Sequence, residues 1–224
     1  MKHAKWAWVV VSVFSLCAGG QALASDTVPS AEPAKASMDA QTHALLQQVH
    51  AQLQPAPVIK GHFEQLKHVQ GFKQPLRSSG EFVVAQSQGI VWQVQQPFAS
   101  TLVVTPESLQ SRDANGAVSL QMQASDEPVL RTVNAMLFAV MSANVAQLGQ
   151  MFEVSGKVQP SGWSLQLKPR DQLLAQWLQK IELQGQAFVQ QVQLYEARGD
   201  RSEIRIHDVA ASQHLSDAEA ALFK

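Results

Sequence analysis

Gly80-Glu-Phe82-Val-Val-Ala-Gln-Ser-Gln-Gly89-Ile90-Val-Trp92-Gln-Val94-Gln-Gln-Pro97 decides the fold. Two runs of β-branched and aromatic residues flank Ser87-Gln-Gly89, a turn signal, and Pro97 closes the second run, so the stretch reads as a β-hairpin. The same grammar extends outward on both sides. Upstream, Ile59, Gly61, Phe63 and Gln65 alternate with Val58, Lys60, His62 and Glu64, the period of a strand. Downstream lie Ser100-Thr-Leu102-Val-Val104 and Ser119-Leu120-Gln-Met122, with turn signals at Thr105-Pro106 and Asn115-Gly116. A further turn is expected at Ser78-Ser79. Strands this close in sequence pair antiparallel.

The alternation breaks once. Between Pro128 and Met151, Val129, Leu130, Val133, Met136, Leu137, Val140 and Met141 keep a spacing of three and four, and Val145, Leu148, Met151 and Phe152 repeat it. This predicts two apolar helices. Strands resume at about Phe152–Val158, Trp163–Leu167, Ile181–Gln184, Phe188–Tyr195 and Glu203–His207, with a helical turn within Asp171–Leu178 and a charged hairpin turn at Glu196-Ala-Arg198-Gly199-Asp200-Arg201. An amphipathic helix over about Ala40–Leu53, carrying Leu45, Leu46, Val49 and Leu53 and stopped by Pro55 and Pro57, precedes the first strand. The expected fold is mainly β with helices: an incomplete antiparallel β-barrel under an α-helical cover.

The amino terminus carries Lys2 and Lys5, an apolar run from Trp6 to Ala18, and Ala22-Leu23-Ala24, the layout of an export signal cut after Ala24. The apolar run is shorter than the roughly 20 residues a spanning helix needs. Cys17, the one cysteine, falls inside that segment, and Ser15-Leu16 before it do not suit lipidation. The rest of the chain is left without a disulfide or a thiolate site. Residues 25–37, rich in Ser, Ala and Pro, read as a flexible leader, and 38–224 as one domain. Without Lys2 and Lys5, the 17 basic residues fall to 15 against 18 acidic ones, leaving a net charge near −3. A balanced chain of this kind lacks the clustered basic surface that nucleic acid requires.

Motifs for nucleophilic, metal or nucleotide chemistry are absent from the sequence. His62 and His68 share a strand face and His43 and His50 a helix face, but spacing supplies no third ligand, so solvated histidines are the reading; no cofactor is expected. Asp200 sits in an exposed turn with nothing to shift its carboxyl toward catalysis. What stands out is apolar. A helix that is greasy on more than one face is either buried all round or covers a second apolar surface, and Met136, Met141 and Met151 would suit a surface that repacks around varied ligands. Sequence leaves open whether this helix is filled core or a lid. It equally leaves open whether Phe63, Phe82, Trp92, Leu102, Trp163 and Leu165 fill a core or line a concave sheet.

The hairpin from Gly80 to Pro97, preceded by Phe63-Glu-Gln65, resembles the amino-terminal signature of the periplasmic outer-membrane lipoprotein carrier family, LolA. The likeness extends more loosely through Leu102-Val-Val104, the helical segment, Val192–His207 and Ala221-Leu-Phe223. It implies a half-barrel with a helical lid and an apolar cavity for the acyl chains of a lipoprotein or lipid cargo. Phe63, Phe82, Ile90, Trp92, Leu102, Val104, Leu130, Val133, Met136, Leu137, Met141, Trp163 and Leu165 are the candidate cavity and lid residues. The implied partners are an inner-membrane donor complex and an outer-membrane acceptor, met by a monomer in transient contact near the membrane. Two departures are visible. Gln86-Ser87 replaces the Arg-Pro step that the family carries before the tryptophan strand, and Leu109-Gln-Ser-Arg112 replaces aromatic residues. They leave room for a specialised paralogue serving a glycolipid or polyene-type lipid. The rival classes are a lipoprotein-sensing regulatory protein, which would need a further interaction domain, and a lipid hydrolase.

Overall fold

The computed structural model describes residues 32–123, 125, 128–142 and 144–223. The expected signal and most of the expected leader lie outside these residues. Among the described residues, no helix is long and apolar enough to cross a membrane.

Helix α1 spans Glu32–Gln52, beginning earlier than the expected Ala40. Strands β1 (Val58–His68), β2 (Leu76–Ala85), β3 (Gly89–Gln96), β4 (Ser100–Val104), β5 (Ser108–Asp113) and β6 (Val118–Gln123) follow as a meander. Helices α2 (Pro128–Met141) and α3 (Val145–Met151) interrupt it. The chain continues through β7 (Phe152–Gln159), β8 (Gly162–Pro169), α4 (Gln172–Ala175), β9 (Leu178–Gly185), β10 (Val189–Glu196), β11 (Arg201–Ser212) and α5 (Asp217–Leu222). All eleven strands form one antiparallel sheet in the order β6-β5-β4-β3-β2-β1-β11-β10-β9-β8-β7, which is not closed. β1 therefore sits at the centre, joined to β11 from the far end of the chain, with Phe63 opposite Ile206 and Lys60 opposite Ala210.

The expected turn at Ser78-Ser79 is corrected: both serines lie within β2, opposite Gln65 and Glu64 of β1. The chain reverses instead between His68 and Leu76, where Gly71 takes a φ of +86°. Glycine adopts that left-handed conformation at little cost, whereas serine fits a strand face and here lets Ser78 Oγ donate to Gln65 Oε1.

Strand alternation sorts the sheet into two faces. The inner face carries Ile59, Phe82, Val84, Ile90, Leu102, Val104 and Leu109 from one arm, and Val154, Trp163, Leu165, Leu167, Ile181, Leu183, Val192 and Ile206 from the other. These join Leu46 and Val49 of α1, Met136, Ala139 and Val140 of α2 and Leu148 of α3 in a single apolar cluster. One cluster drawing on both arms is what a sheet curled around its helices produces. The outer face of the central strands holds a smaller cluster, Val58, Val83, Ala85, Val91 and Val103, covered by Leu215, Leu222 and Phe223 around α5.

Two devices hold the helices in place. α1 runs along edge strand β7, where Thr42 Oγ1 donates to the Val154 carbonyl (3.5 Å) and Gln52 Nε2 to the Gln159 carbonyl (2.7 Å). Engaging an edge in this way shields it from pairing with another chain. On the outer face, α5 begins with a reciprocal cap between Ser216 and Glu219, and Glu219 also receives Lys60 Nζ of β1 at 2.6 Å.

Candidate functional site

The inner face does not fill completely. A cavity of about 420 Å³ lies between the end of α1, the α2–α3 junction and the sheet. Its walls are Leu53 and Pro55 after α1, Phe138 and Met141 of α2, Val145 of α3, Ile59 and Phe82 on β1 and β2, Phe188 and Val189 at the start of β10, and Ile206 and Val209 on β11. His50, Gln54, Gln86, Ser142 and Asn144 supply the polar part of the rim. Among the described residues, its lining contains no Asp, Glu, Lys or Arg.

A second cavity of about 210 Å³ adjoins it, bounded by Ile90, Val104, Thr105, Pro106, Asn134, Ala135 and Gln147. Gln86 and Phe138 belong to both walls, so they form the partition between the two spaces. Gln86 is held there from two sides. Its backbone N–H donates to the Pro57 carbonyl (2.9 Å) and its side-chain amide to the Ala56 carbonyl (3.1 Å). This is the position that departs from the family's Arg-Pro step. Here the neutral amide is spent on the backbone of the α1–β1 connection.

Asn134 fixes α2 to the β4–β5 turn. Its Nδ2 donates to the Thr105 carbonyl (2.7 Å) and toward that of Ser108 (3.3 Å), while its side chain is almost wholly buried.

The structure distributes the sequence-derived candidates unevenly. Phe82 and Met141 line the larger cavity; Ile90 and Val104 line the smaller one. Phe63, Trp92 and Leu102 stand on the inner side of the central strands, where Phe63 is fully buried and stacks on Trp92 with ring centroids 3.8 Å apart. Phe82 continues that stack, 5.9 Å from Trp92. Trp163 and Leu165 are buried on β8, with Trp163 Nε1 donating to the Gln186 carbonyl at 2.8 Å. Met136 is buried in the same core and Leu137 packs against it, and neither lines these two cavities. Leu130 and Val133 fall on α2, but their side chains lie outside the described residues.

Sequence reasoning missed Phe138, the partition, and Phe188 and Val209 on the opposite wall. A signal for the first existed. Asn134, Phe138 and Met141 are spaced by four and three, a second face of α2 beside the stripe that enters the core. Elsewhere, among the described residues, no group of three or more His, Cys, Asp or Glu is placed to hold a metal ion. His62 stacks with His207 across the β1–β11 pair at 5.6 Å, a solvated arrangement on the outer face.

An open antiparallel sheet curled over helices, with a largely apolar cavity between them, has the mainly apolar, concave form of small-molecule sites. The chain belongs to the LolA family, "Outer membrane lipoprotein carrier protein LolA", whose sequence profile matches residues 55–224. Members of that family are carrier proteins and not enzymes. Comparison with curated proteins gives no match.

Among solved structures, the chain is similar to an outer membrane lipoprotein-sorting protein domain from Vibrio parahaemolyticus. The two share 8% identity, cover 83% of this chain and 100% of the other, and have a TM-score of 0.45. A LolA superfamily protein from Nitrosomonas europaea shares 8% identity, covering 79% and 96% of the two chains at a TM-score of 0.42. A DUF1329 family protein from Desulfovibrio piger shares 11%, covering 85% and 99% at 0.44.

Proposed function

We propose that this protein is a periplasmic carrier that takes the acyl part of a lipoprotein or other lipidated molecule into the cavity beneath α2 and α3 and carries it from the inner to the outer membrane. The observation that carries this reading is the cavity of about 420 Å³, within the roughly 300–1,000 Å³ of small-ligand sites, walled largely by aliphatic and aromatic side chains with no charged one among the described residues. Family membership over residues 55–224 supports a lipoprotein as the cargo class. In this reading α2 and α3 act as a lid, the leader frees the domain from the export signal cut after Ala24, and the monomer meets a donor at one membrane and an acceptor at the other.

The energetics are those of transfer between apolar environments. Each methylene removed from water is worth about 0.8 kcal/mol, so a sheltered acyl chain offsets the cost of leaving a bilayer. Release requires the acceptor to offer the better site. The test is native mass spectrometry of the protein purified without detergent from the periplasm, followed by organic extraction. A co-purifying acylated molecule that is lost in a folded Met141→Asp variant supports the carrier. A clean unliganded mass, with no uptake on incubation with lipid, refutes it.

A further inference from the structure

We propose that the protein docks on an anionic phospholipid bilayer through the hairpin tips at the end of the sheet remote from the cavity rim, with Phe72, Leu76 and Phe98 entering the lipid and Lys73 and Arg77 resting among the phosphates. The proposal does not depend on what the cavity holds.

Exposed apolar side chains scattered singly over a surface need no explanation. Here they are gathered. The exposed large hydrophobic residues among those described are Phe72, Leu76, Phe98, Val118 and Leu173, from 39% to 60% exposed. Phe72 lies in the β1–β2 connection and Leu76 opens β2; Phe98 lies between β3 and β4, Val118 opens β6, and Leu173 belongs to α4 between β8 and β9. Strand register puts all of these connections at one end of the sheet. Lys67 pairs with Leu76, His68 with Arg201, Ser79 with Gln96, Arg112 with Val118 and Glu196 with Leu178. The rim of the larger cavity, with Gln54, Gln86 and Ala187, lies at the other end.

Two of the tips are neighbours. Because β2 pairs with β3, the β1–β2 and β3–β4 tips stand two strand spacings apart, about 10 Å. The first is held in shape: Phe72 N–H donates to the Val69 carbonyl at 3.0 Å, and Gln70 N–H to Asp200 Oδ1 in the β10–β11 connection at 2.9 Å. A tip already ordered loses less freedom on docking.

Charge selects the partner. Residues 69–77 and 95–99 hold Lys73 and Arg77 and no Asp or Glu, in a chain whose formal net charge is −1. The carboxylates of the adjoining connections are engaged: Asp113 and Asp171 with N–H groups of their own turns, Asp200 with Gln70, and Glu196 with Lys67. Apolar side chains carried on separate tips, with cations beside them, suit a lipid interface. Such an interface receives them without a matching mould, and its phosphates attract the cations.

Sedimentation with vesicles tests this, using the protein purified from the periplasm and vesicles of phosphatidylcholine, alone or with about a quarter phosphatidylglycerol. The protein should bind the anionic vesicles more tightly. Phe72→Ser combined with Phe98→Ser should weaken that binding about tenfold or more. Lys73→Gln combined with Arg77→Gln should weaken it about thirtyfold on the anionic vesicles and little on the neutral ones.

Orientation gives a second readout. A nitrobenzoxadiazole dye on Phe72→Cys should shift to the blue when anionic vesicles are added, and the same dye on Gln54→Cys, at the cavity rim, should not. No binding to either vesicle, binding that survives the loss of both phenylalanines, or an equal shift at both labels overturns the proposal. Absence of vesicle binding together with a dimer that the phenylalanine variant dissociates also overturns it, and assigns the tips to a second copy of the chain.

Discussion

The fastening of α5 on the outer face makes a pH-dependent contribution to stability. Glu219 is held well below the ordinary carboxylate range, from 4.5 to about 2, first by the Lys60 ammonium hydrogen-bonded to it, then by the backbone N–H and hydroxyl of Ser216. A carboxyl depressed on folding adds stability that is complete above its unfolded pKa and disappears as pH falls through its folded one. The window therefore runs from about pH 4.5 down to about 2. At full strength such a shift amounts to about 3 kcal/mol, but the Lys60 side chain is 44% exposed, and screening by water brings the pair's own share to about 1 kcal/mol.

Lys60→Met removes the ammonium and keeps most of the aliphatic stem. The variant should unfold in urea with about 1 kcal/mol less stability at pH 7, and the gap to wild type should close as pH falls below 3. Comparing two chains across the pH series cancels the other carboxylates. Hydrogen exchange should place the loss at α5. Equal stabilities at pH 7, or a gap that persists unchanged at pH 2.5, would refute the assignment of this bond as the clasp of α5.

Two other outcomes follow from the inner face and the hairpin. Ala187→Trp, which projects an indole into the larger cavity, should leave the far-ultraviolet dichroism intact and weaken decanamide uptake about two hundredfold, from the loss of about four sheltered methylenes; unchanged uptake would place the acyl site elsewhere. Gly80→Ala should cost about 2–3 kcal/mol in a denaturant titration, because an added Cβ would stand 1.8 Å from the Gln93 carbonyl oxygen, a backbone atom that cannot swing aside.

How much of this was legible in the sequence depended on whether the signal was periodic. Alternation through Ile59, Phe63, Phe82, Ile90 and Trp92 marked strands because side chains on a pleated sheet repeat every second residue, and these five occupy the inner side of the central strands. The three-and-four spacing of Met136, Leu137 and Val140 marked α2 for the same kind of reason. Turns were harder. Ser78-Ser79 looked like a break because serine is common in turns, yet serine also fits a strand, and the chain reverses instead around Gly71, whose φ of +86° glycine adopts at little cost.

The site was the least visible part. A cavity is the space that side chains fail to fill, and it depends on how far strands from both arms bend toward α2, a quantity that no local pattern encodes. Phe188 and Phe138 are far apart in sequence and meet across that space only after β10 has joined the sheet beside β11. Asn134 was overlooked as a polar interruption of an apolar stripe. Its part is to fasten α2 to the β4–β5 turn through the Thr105 and Ser108 carbonyls, partners that no local pattern encodes.

The pairing of β1 with β11 dictates an order of events during folding. The meander β1–β6 and the run β7–β11 can each form from neighbouring hairpins, but the two halves meet only when Val58 finds Ser212 and His68 finds Arg201. Closing so long a loop is slow relative to hairpin formation. The seam lies under the larger cavity, with Ile59 on one side of it and Ile206 on the other. Ligand-binding capacity should therefore emerge late, with the final strand, so that an incompletely synthesised or unjoined chain has no pocket in which to capture cargo.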